Sequence, residues 1–341
     1  MTKLLTILIP CYNSQDYMAR AIECAASGGE EVDVLVVDDG SRDNTGAIAD
    51  DYAARYPGIV RVIHQENGGH GEGVNQGIRQ GQGIYLKVLD SDDRLEPEVL
   101  KDFLTLLRAH SRQEDQVDLV VHDYVYDSAD KEAFFRVNYR YLLRPNEPLA
   151  WDEIHRPHMF TQFMIHCMVY RTALLRDEMK LELPKHVFYE DNLYIYQPLP
   201  YVKTLMYFNR PLHAYFIGRG DQSINKDVII RRLPQVAAMA RQMITSYRLE
   251  ELDRLPKNLR RFMLGNLAGQ LSTSCSIMLM AGNEGRKAYD DLRQAIRDFD
   301  PDLWRALRHN LMGHISTPTN RAGEKFLLFC YHTSRHIMKF E

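Results

Sequence analysis

Through roughly its first hundred residues the chain alternates short apolar runs with amphipathic stretches, the pattern of βαβ units on a mostly parallel sheet. Residues 4–9 form a near-continuous apolar strand, after which Asn13 or Ser14 is placed to cap a helix through Tyr17, Ala21 and Ile22. A second strand, 32–37, runs into Asp38-Asp39-Gly40-Ser41, and Asp43 or Asn44 can start the next helix. Residues 59–63 read as a third strand, 73–80 as a short helix, and 84–89 as a fourth strand ending in Asp90-Ser91-Asp92-Asp93. Ligands of open α/β sheets collect outside the carboxyl ends of the strands. The ends of the first, second and fourth strands thus deliver Tyr12-Asn13, Asp38-Asp39 and Asp90 to Asp93 to one edge.

Further along, the pattern predicts a helix near 98–108, a strand near 119–121, and an irregular stretch rich in Tyr, His and Pro over 124–157. A strand-like run at 164–170 and hairpin-like runs at 202–208 and 213–217 follow. From Lys226 the periodicity is helical, with Pro234, Pro256 and Pro301 as boundaries. The expected division is a catalytic, ligand-binding domain over 1–225 and a helical region over 226–341.

With 341 residues, 45% hydrophobic and 26% charged, the composition excludes disordered, collagen-like and disulfide-scaffold classes. The formal charge of -4 gives no reason to expect nucleic acid as a partner. That charge is unevenly spread: from Lys226 onward there are 19 basic and 12 acidic residues, so the preceding residues carry a net -11. An acidic front half with runs of Asp suits a divalent cation, and a basic rear suits an anionic acceptor or surface. The five cysteines form no CxxC pair and read as reduced thiols of a cytoplasmic protein. No secretory leader is expected, and the apolar stretch 265–281, broken by Asn266 and Gln270, reads as a buried helix.

Asp90 and Asp92 stand two positions apart at a strand end, where like charges raise one another's pKa unless a cation neutralises them. An all-oxygen cluster favours Mg²⁺ or Mn²⁺ completed by substrate phosphates. The glycines of Gly68-Gly69-His70-Gly71-Glu72-Gly73 fit no GxGxxG register, and no GK[ST] occurs, which disfavours Rossmann dehydrogenases and P-loop nucleotidases. These glycines permit either a flexible loop near a ligand or simply tight turns. Lys87, inside an apolar strand, is expected to pair with a strand-end Asp or to snorkel from an edge. His155, His158 and His166 have no zinc spacing. Residues 321–340 read as a basic amphipathic helix that packs on the protein or touches an anionic membrane.

The runs LTILIPCYN (5–13), VLVVDDGSRDNT (34–45), NGGHGEGVNQG (67–77) and YLKVLDSDD (85–93) resemble, in order and spacing, the donor-binding half of glycosyltransferase family 2. That resemblance implies a GT-A fold and inverting transfer of a sugar from a nucleoside diphosphate, with UDP expected, to an acceptor hydroxyl in bacterial-type surface glycan synthesis. It places Pro10, Tyr12, Asn13, Asp39, Asn67, Asp90 and Ser91 at the nucleotide-sugar, with Tyr12 bordering the base, Asp39 hydrogen-bonding it and Asp90 near the ribose. Asp92 matches the metal position, with Mn²⁺ or Mg²⁺ as cofactor. Asp191 of Glu190-Asp191 matches the general base, and Arg219 and Ser223 match a segment closing over the diphosphate. The acceptor would be a glycan or a lipid-linked molecule. Relatives commonly carry Trp after DSDD, where this chain has Arg94, and no QxxRW signature is present. The other classes weighed are a sugar nucleotidyltransferase, which would need a basic Gly-rich loop after the first strand, and a non-catalytic nucleotide-sugar-binding protein.

Overall fold

A computed structural model describes residues 2–112, 114, 116–128, 131–158, 161–217, 226–309, 318 and 320–337. The chain forms two compact units, Met1–His155 with Phe163–Gly218, and Arg156–Gln162 with Arg219–Glu341.

The first unit is built on a ten-stranded sheet. Its strands are β1 (Leu5–Cys11), β2 (Val32–Asp38), β3 (Val60–His64), β4 (Tyr85–Val88), β5 (Arg94–Leu95), β6 (Leu119–Ser128), β7 (Lys131–Val137), β8 (Leu149–Ala150), β9 (Met168–Arg171) and β10 (Thr204–Ile217). Their order is β3-β2-β1-β4-β9-β6-β10-β5, with β7 beside β6 and β8 beside β10. The β3-β2-β1-β4 portion is parallel, β9 runs antiparallel to both β4 and β6, and β10 is parallel to β6. The helices are α1 (Met18–Ala26), α2 (Thr45–Arg55), α3 (His70–Gln80), α4 (Pro97–Ala109) and α5 (Asp191–Tyr196).

Every residue of β1 and β2 is buried, as expected where helices cover a parallel sheet and both strand faces must be apolar. Met18, Ala21, Ile22 and Ala25 of α1 join Leu100, Phe103, Leu104 and Leu107 of α4 in the core. Of the polar exceptions, Asp38 closes β2 at its carboxyl end, while Thr6 and Asp33 sit near the strands' amino ends. Thr6 donates to Asp33, which also accepts two bonds from the Arg61 guanidinium at 2.7 and 3.0 Å, so this buried carboxylate is paired. That leaves the opposite edge of the sheet for chemistry.

Several elements differ from their sequence pattern. Neither Asn13 nor Ser14 caps α1, which starts at Met18; Ser14 instead accepts from the Tyr17 and Met18 amides through its carbonyl. Helix α3 starts at His70, three residues ahead of the expected point, so Gly71 and Gly73 lie in its first turn while Gly68 and Gly69 lead into it. β6 extends to Ser128 because His122, Asp123 and the tyrosines that follow are themselves buried. The first part of 164–170 is a short 3₁₀ turn, Ile165–Cys167, before β9. The expected hairpin over 202–217 is one strand, β10, whose register shifts on either side of Pro211. Proline lacks the ladder donor, and a bulge accommodates it without reversing the chain.

The second unit contains α6 (Lys226–Arg231), α7 (Leu233–Ile244), α8 (Leu249–Asp253), α9 (Lys257–Met280), α10 (Gly282–Phe299), α11 (Pro301–His309) and α12 (Arg321–Ile337). Pro234 lies in the first turn of α7, Pro256 caps α9 and Pro301 begins α11, positions where a missing N–H costs nothing. Most of 265–281 falls in α9, which buries Leu267, Leu271, Cys275 and Met278. Among the described residues no helix is long and apolar enough to cross a membrane.

Candidate active site

Parallel register carries the strand ends to one edge: Cys11 lies beside Asp38, and Leu8 beside Val88 just ahead of Asp90. There Tyr12 is exposed, and the Asn13 amide donates to Ser41 Oγ while its side-chain oxygen accepts from the Arg42 amide. Asn13 has a φ of 50°, a left-handed turn that Asn tolerates better than most residues. The Ser14 and Ser91 hydroxyls are 2.9 Å apart and join the end of β1 to the acidic turn after β4.

Asp39 is buried, and its carboxylate organises the loop before α3. Oδ1 accepts from Gly68 N and Gln65 Nε2, both at 2.7 Å, and Oδ2 from Gly69 N at 2.8 Å. Asn67 Nδ2 donates to the Asp39 carbonyl at 2.9 Å, and Pro10 packs against Gly73 at the head of α3. An ionised carboxylate has about four acceptor sites, so one on Oδ2 is left for a ligand donor.

The loop delivers a residue that the sequence pattern passed over, His70. Its Nδ1 is 2.7 Å from Glu190 Oε1 and its Nε2 is 3.1 Å from Asp90 Oδ1. The imidazole thus joins the DSDD turn to the Glu190-Asp191 pair, although the two motifs are a hundred positions apart. Two glycines allow this approach. Gly69 has a φ of +83°, and a side chain at Gly71 would meet Pro184 O at 2.7 Å and Glu190 Cγ at 2.9 Å. The available signal was the single imidazole among these glycines, at a helix start facing the acidic edge.

Asp191 begins α5, with its carboxylate 3.4 Å from Asn192 Nδ2. Desolvation, reinforced by the Glu190 charge, pushes its carboxyl up to about 7. That value suits a group that takes a proton near neutrality.

Beneath the acidic turn lies a buried layer. Asp93 Oδ2 meets His213 Nε2 at 2.7 Å, and Asp93 Oδ1 accepts from the Phe216 amide. Lys87 is fully buried and donates to the His166 carbonyl at 2.6 Å; it neither snorkels nor makes the expected bond to a strand-end Asp. Burial pushes its ammonium down to about 7. The His166 ring stacks on Tyr215 and is edge-on to Tyr124, which makes it a core residue. Arg94, in the family's usual Trp position, pairs with Asp127 and Glu96. Arg219 and Ser223 lie outside the described residues.

Among the described residues no group of three or more His, Cys, Asp and Glu side chains is arranged as a metal site. The donors still suit a hard cation, since Asp92 is a partly exposed carboxylate at the ligand edge and Mg²⁺ or Mn²⁺ needs few protein oxygens when phosphates supply the rest.

A mixed sheet whose parallel strands β2 and β4 run into acids that meet a second acidic pair is a GT-A arrangement, and comparison with known proteins agrees. Residues 6–174 match the family model described as Glycosyl transferase family 2. Through that stretch, the chain belongs to glycosyltransferase family 2. It is 33% identical over 140 residues to glycosyltransferase GlyG of Streptococcus pneumoniae, covering 40% of this chain and 44% of the relative. The matches span 61% and 38% of the next two curated relatives. The solved structure of S. aureus TarS residues 1–349 with UDP has a TM-score of 0.62 at 18% identity, covering 97% of this chain and 92% of that one. The mannosyltransferase PcManGT of Pyrobaculum calidifontis, solved with GDP-Man and Mn²⁺, has a TM-score of 0.52 at 13% identity, covering 100% and 89%.

Proposed function

We propose that this chain is an inverting, metal-dependent transferase that moves a sugar from a UDP-sugar to an acceptor hydroxyl in surface glycan synthesis. The observation that carries this reading is the bridge His70 makes between Asp90 and Glu190, because it sets the donor-binding turn and the base-bearing pair around one point. TarS, solved with UDP and with UDP-GlcNAc, supports a uridine donor. So does Asp39, whose remaining acceptor site suits an imide N–H such as uracil presents. In this reading Tyr12 borders the base, with Pro10, Asn13 and Asn67 shaping its walls, and Asp90 and Ser91 face the ribose.

Asp92 would hold Mg²⁺ or Mn²⁺, which supplies Lewis-acid stabilisation of the charge on the leaving diphosphate. Asp191 takes the proton of the acceptor hydroxyl, and the freed oxygen pair bonds to the anomeric carbon. The sugar–phosphate bond breaks on the opposite face, its electrons leaving with the diphosphate. β1 ends in Pro10-Cys11 and runs into Tyr12-Asn13 rather than a basic Gly-rich loop, which counts against a nucleotidyltransferase.

For the second unit, an anionic acceptor or membrane is proposed from its basic balance and from α12, where Phe326 and Phe329 are exposed beside Lys325. Sedimentation with anionic vesicles, lost in Phe326→Ser with Phe329→Ser, tests that contact. The transfer reading is tested by screening UDP- and GDP-sugars with Mn²⁺ for thermal stabilisation and release of the diphosphate. Stabilisation by no donor, or turnover undiminished in Asp191→Asn, would contradict it.

A further inference from the structure

His70 holds a place that transfer chemistry alone does not require, and the inference drawn from it rests on the transfer reading above. Both ring nitrogens face carboxylate oxygens, Nδ1 that of Glu190 and Nε2 that of Asp90. A neutral imidazole donates from one nitrogen only, so two contacts to ionised carboxylates call for the doubly protonated ring. Desolvation opposes the charge, yet the bonds to Asp90 and Glu190 hold the imidazole well above the usual histidine range. The acid on α3 itself, Glu72, is occupied by Arg79 and Lys185.

The neighbours Glu190 and Asp191 are therefore not equivalent. Glu190 is buried against the imidazolium, whereas Asp191 opens α5 with Asn192 as its contact. The charges that act on Asp191 are Glu190 and Asp90, which raise its pKa, and His70, which lowers it.

We propose that His70 is a positioning residue that assigns the base: by clamping Glu190 to Asp90, it reserves Asp191 for the acceptor's proton and ties that carboxylate to the donor-binding turn. Gly69 and Gly71 then serve the chemistry, because they let the imidazole and Glu190 come together.

The test compares wild type with His70→Gln and His70→Asn, which keep a polar group at the reach of one nitrogen but carry no charge. Diphosphate release from a panel of UDP-sugars including UDP-GlcNAc is followed with Mn²⁺ across about pH 5.5 to 9. Expected are a kcat about tenfold lower, a donor KM within about threefold, and an acidic limb moved up by roughly half to one pH unit, since the base loses a neighbouring cation. A folded His70→Gln enzyme whose limb coincides with wild type overturns the assignment. If both variants misfold, NMR of the His70 ring decides: it should remain cationic at pH 7 in wild type and titrate lower in Glu190→Gln. A ring neutral at pH 7 overturns the proposal. Full turnover in Asp191→Asn, or a wild type inactive on every donor, instead defeats the transfer reading.

Discussion

His213 meets Asp93 across 2.7 Å with both side chains fully buried, so β10 supports from below the turn that carries Asp90, Ser91 and Asp92. Replacing His213 by Phe leaves the Asp93 side chain with the Phe216 amide as its remaining support. The expected cost is about 1–3 kcal/mol of unfolding free energy, read from denaturant titration, together with a raised donor KM as the turn loosens.

Asp191→Asn should reduce transfer by about 10²- to 10⁴-fold while preserving UDP binding, because the variant loses a proton acceptor and little else. Isothermal titration with UDP and Mn²⁺, beside turnover, separates the two effects.

The raised carboxyl of Asp191 also sets a pH dependence. Base catalysis requires the ionised form, so kcat/KM should rise with pH through about 7 and then level. Stability runs the other way: an acid whose folded pKa lies above its unfolded value of 3.8 penalises folding increasingly as pH climbs from there to about 7. Asp191→Asn should therefore stabilise the ligand-free chain at pH 8 by roughly 1–3 kcal/mol, with little gain at pH 4. Melting temperatures at the two pH values check the sign.

Gly71→Ala places a methyl within 2.9 Å of Glu190 Cγ and 2.7 Å of Pro184 O. One or both must move, at a cost of about 1–3 kcal/mol. Because the displaced group is the partner of His70, kcat should fall more than donor affinity, which steady-state kinetics would reveal.

Chelation by EDTA should abolish diphosphate release, with Mn²⁺ or Mg²⁺ restoring it. Asp92→Asn should need a metal concentration at least about tenfold higher for half-maximal rate. A rate indifferent to EDTA would remove the cation from the proposal.

The parallel half of the sheet was legible because β1 and β2 are largely apolar runs, as strands buried on both faces are, and because β2 and β4 run into acids. Asp39 and Asp90 stand out for the same reason, whereas Asp191, at the start of α5, is reached through the family resemblance. His70 could not, since its importance lies in reaching Glu190 across 120 positions, and the glycines around it drew notice to backbone freedom instead. β10 was hidden by Asn209-Arg210-Pro211, which has turn composition but here forms a bulge. Lys87 reads in sequence as a partner of a strand-end Asp or a snorkelling edge residue, whereas its bond goes to the His166 carbonyl, which no spacing in the sequence signals.

Residues Arg156–Gln162 belong to the helical unit although the chain on either side of them belongs to the sheet. The Arg261 guanidinium fastens this segment through the Pro157 carbonyl. The polypeptide consequently crosses the boundary three times, and no single cut separates the two units. A truncation after Gly218 would remove Arg261 and leave the Pro157 carbonyl without that donor. Expression trials of the isolated sheet should excise or replace that loop as well.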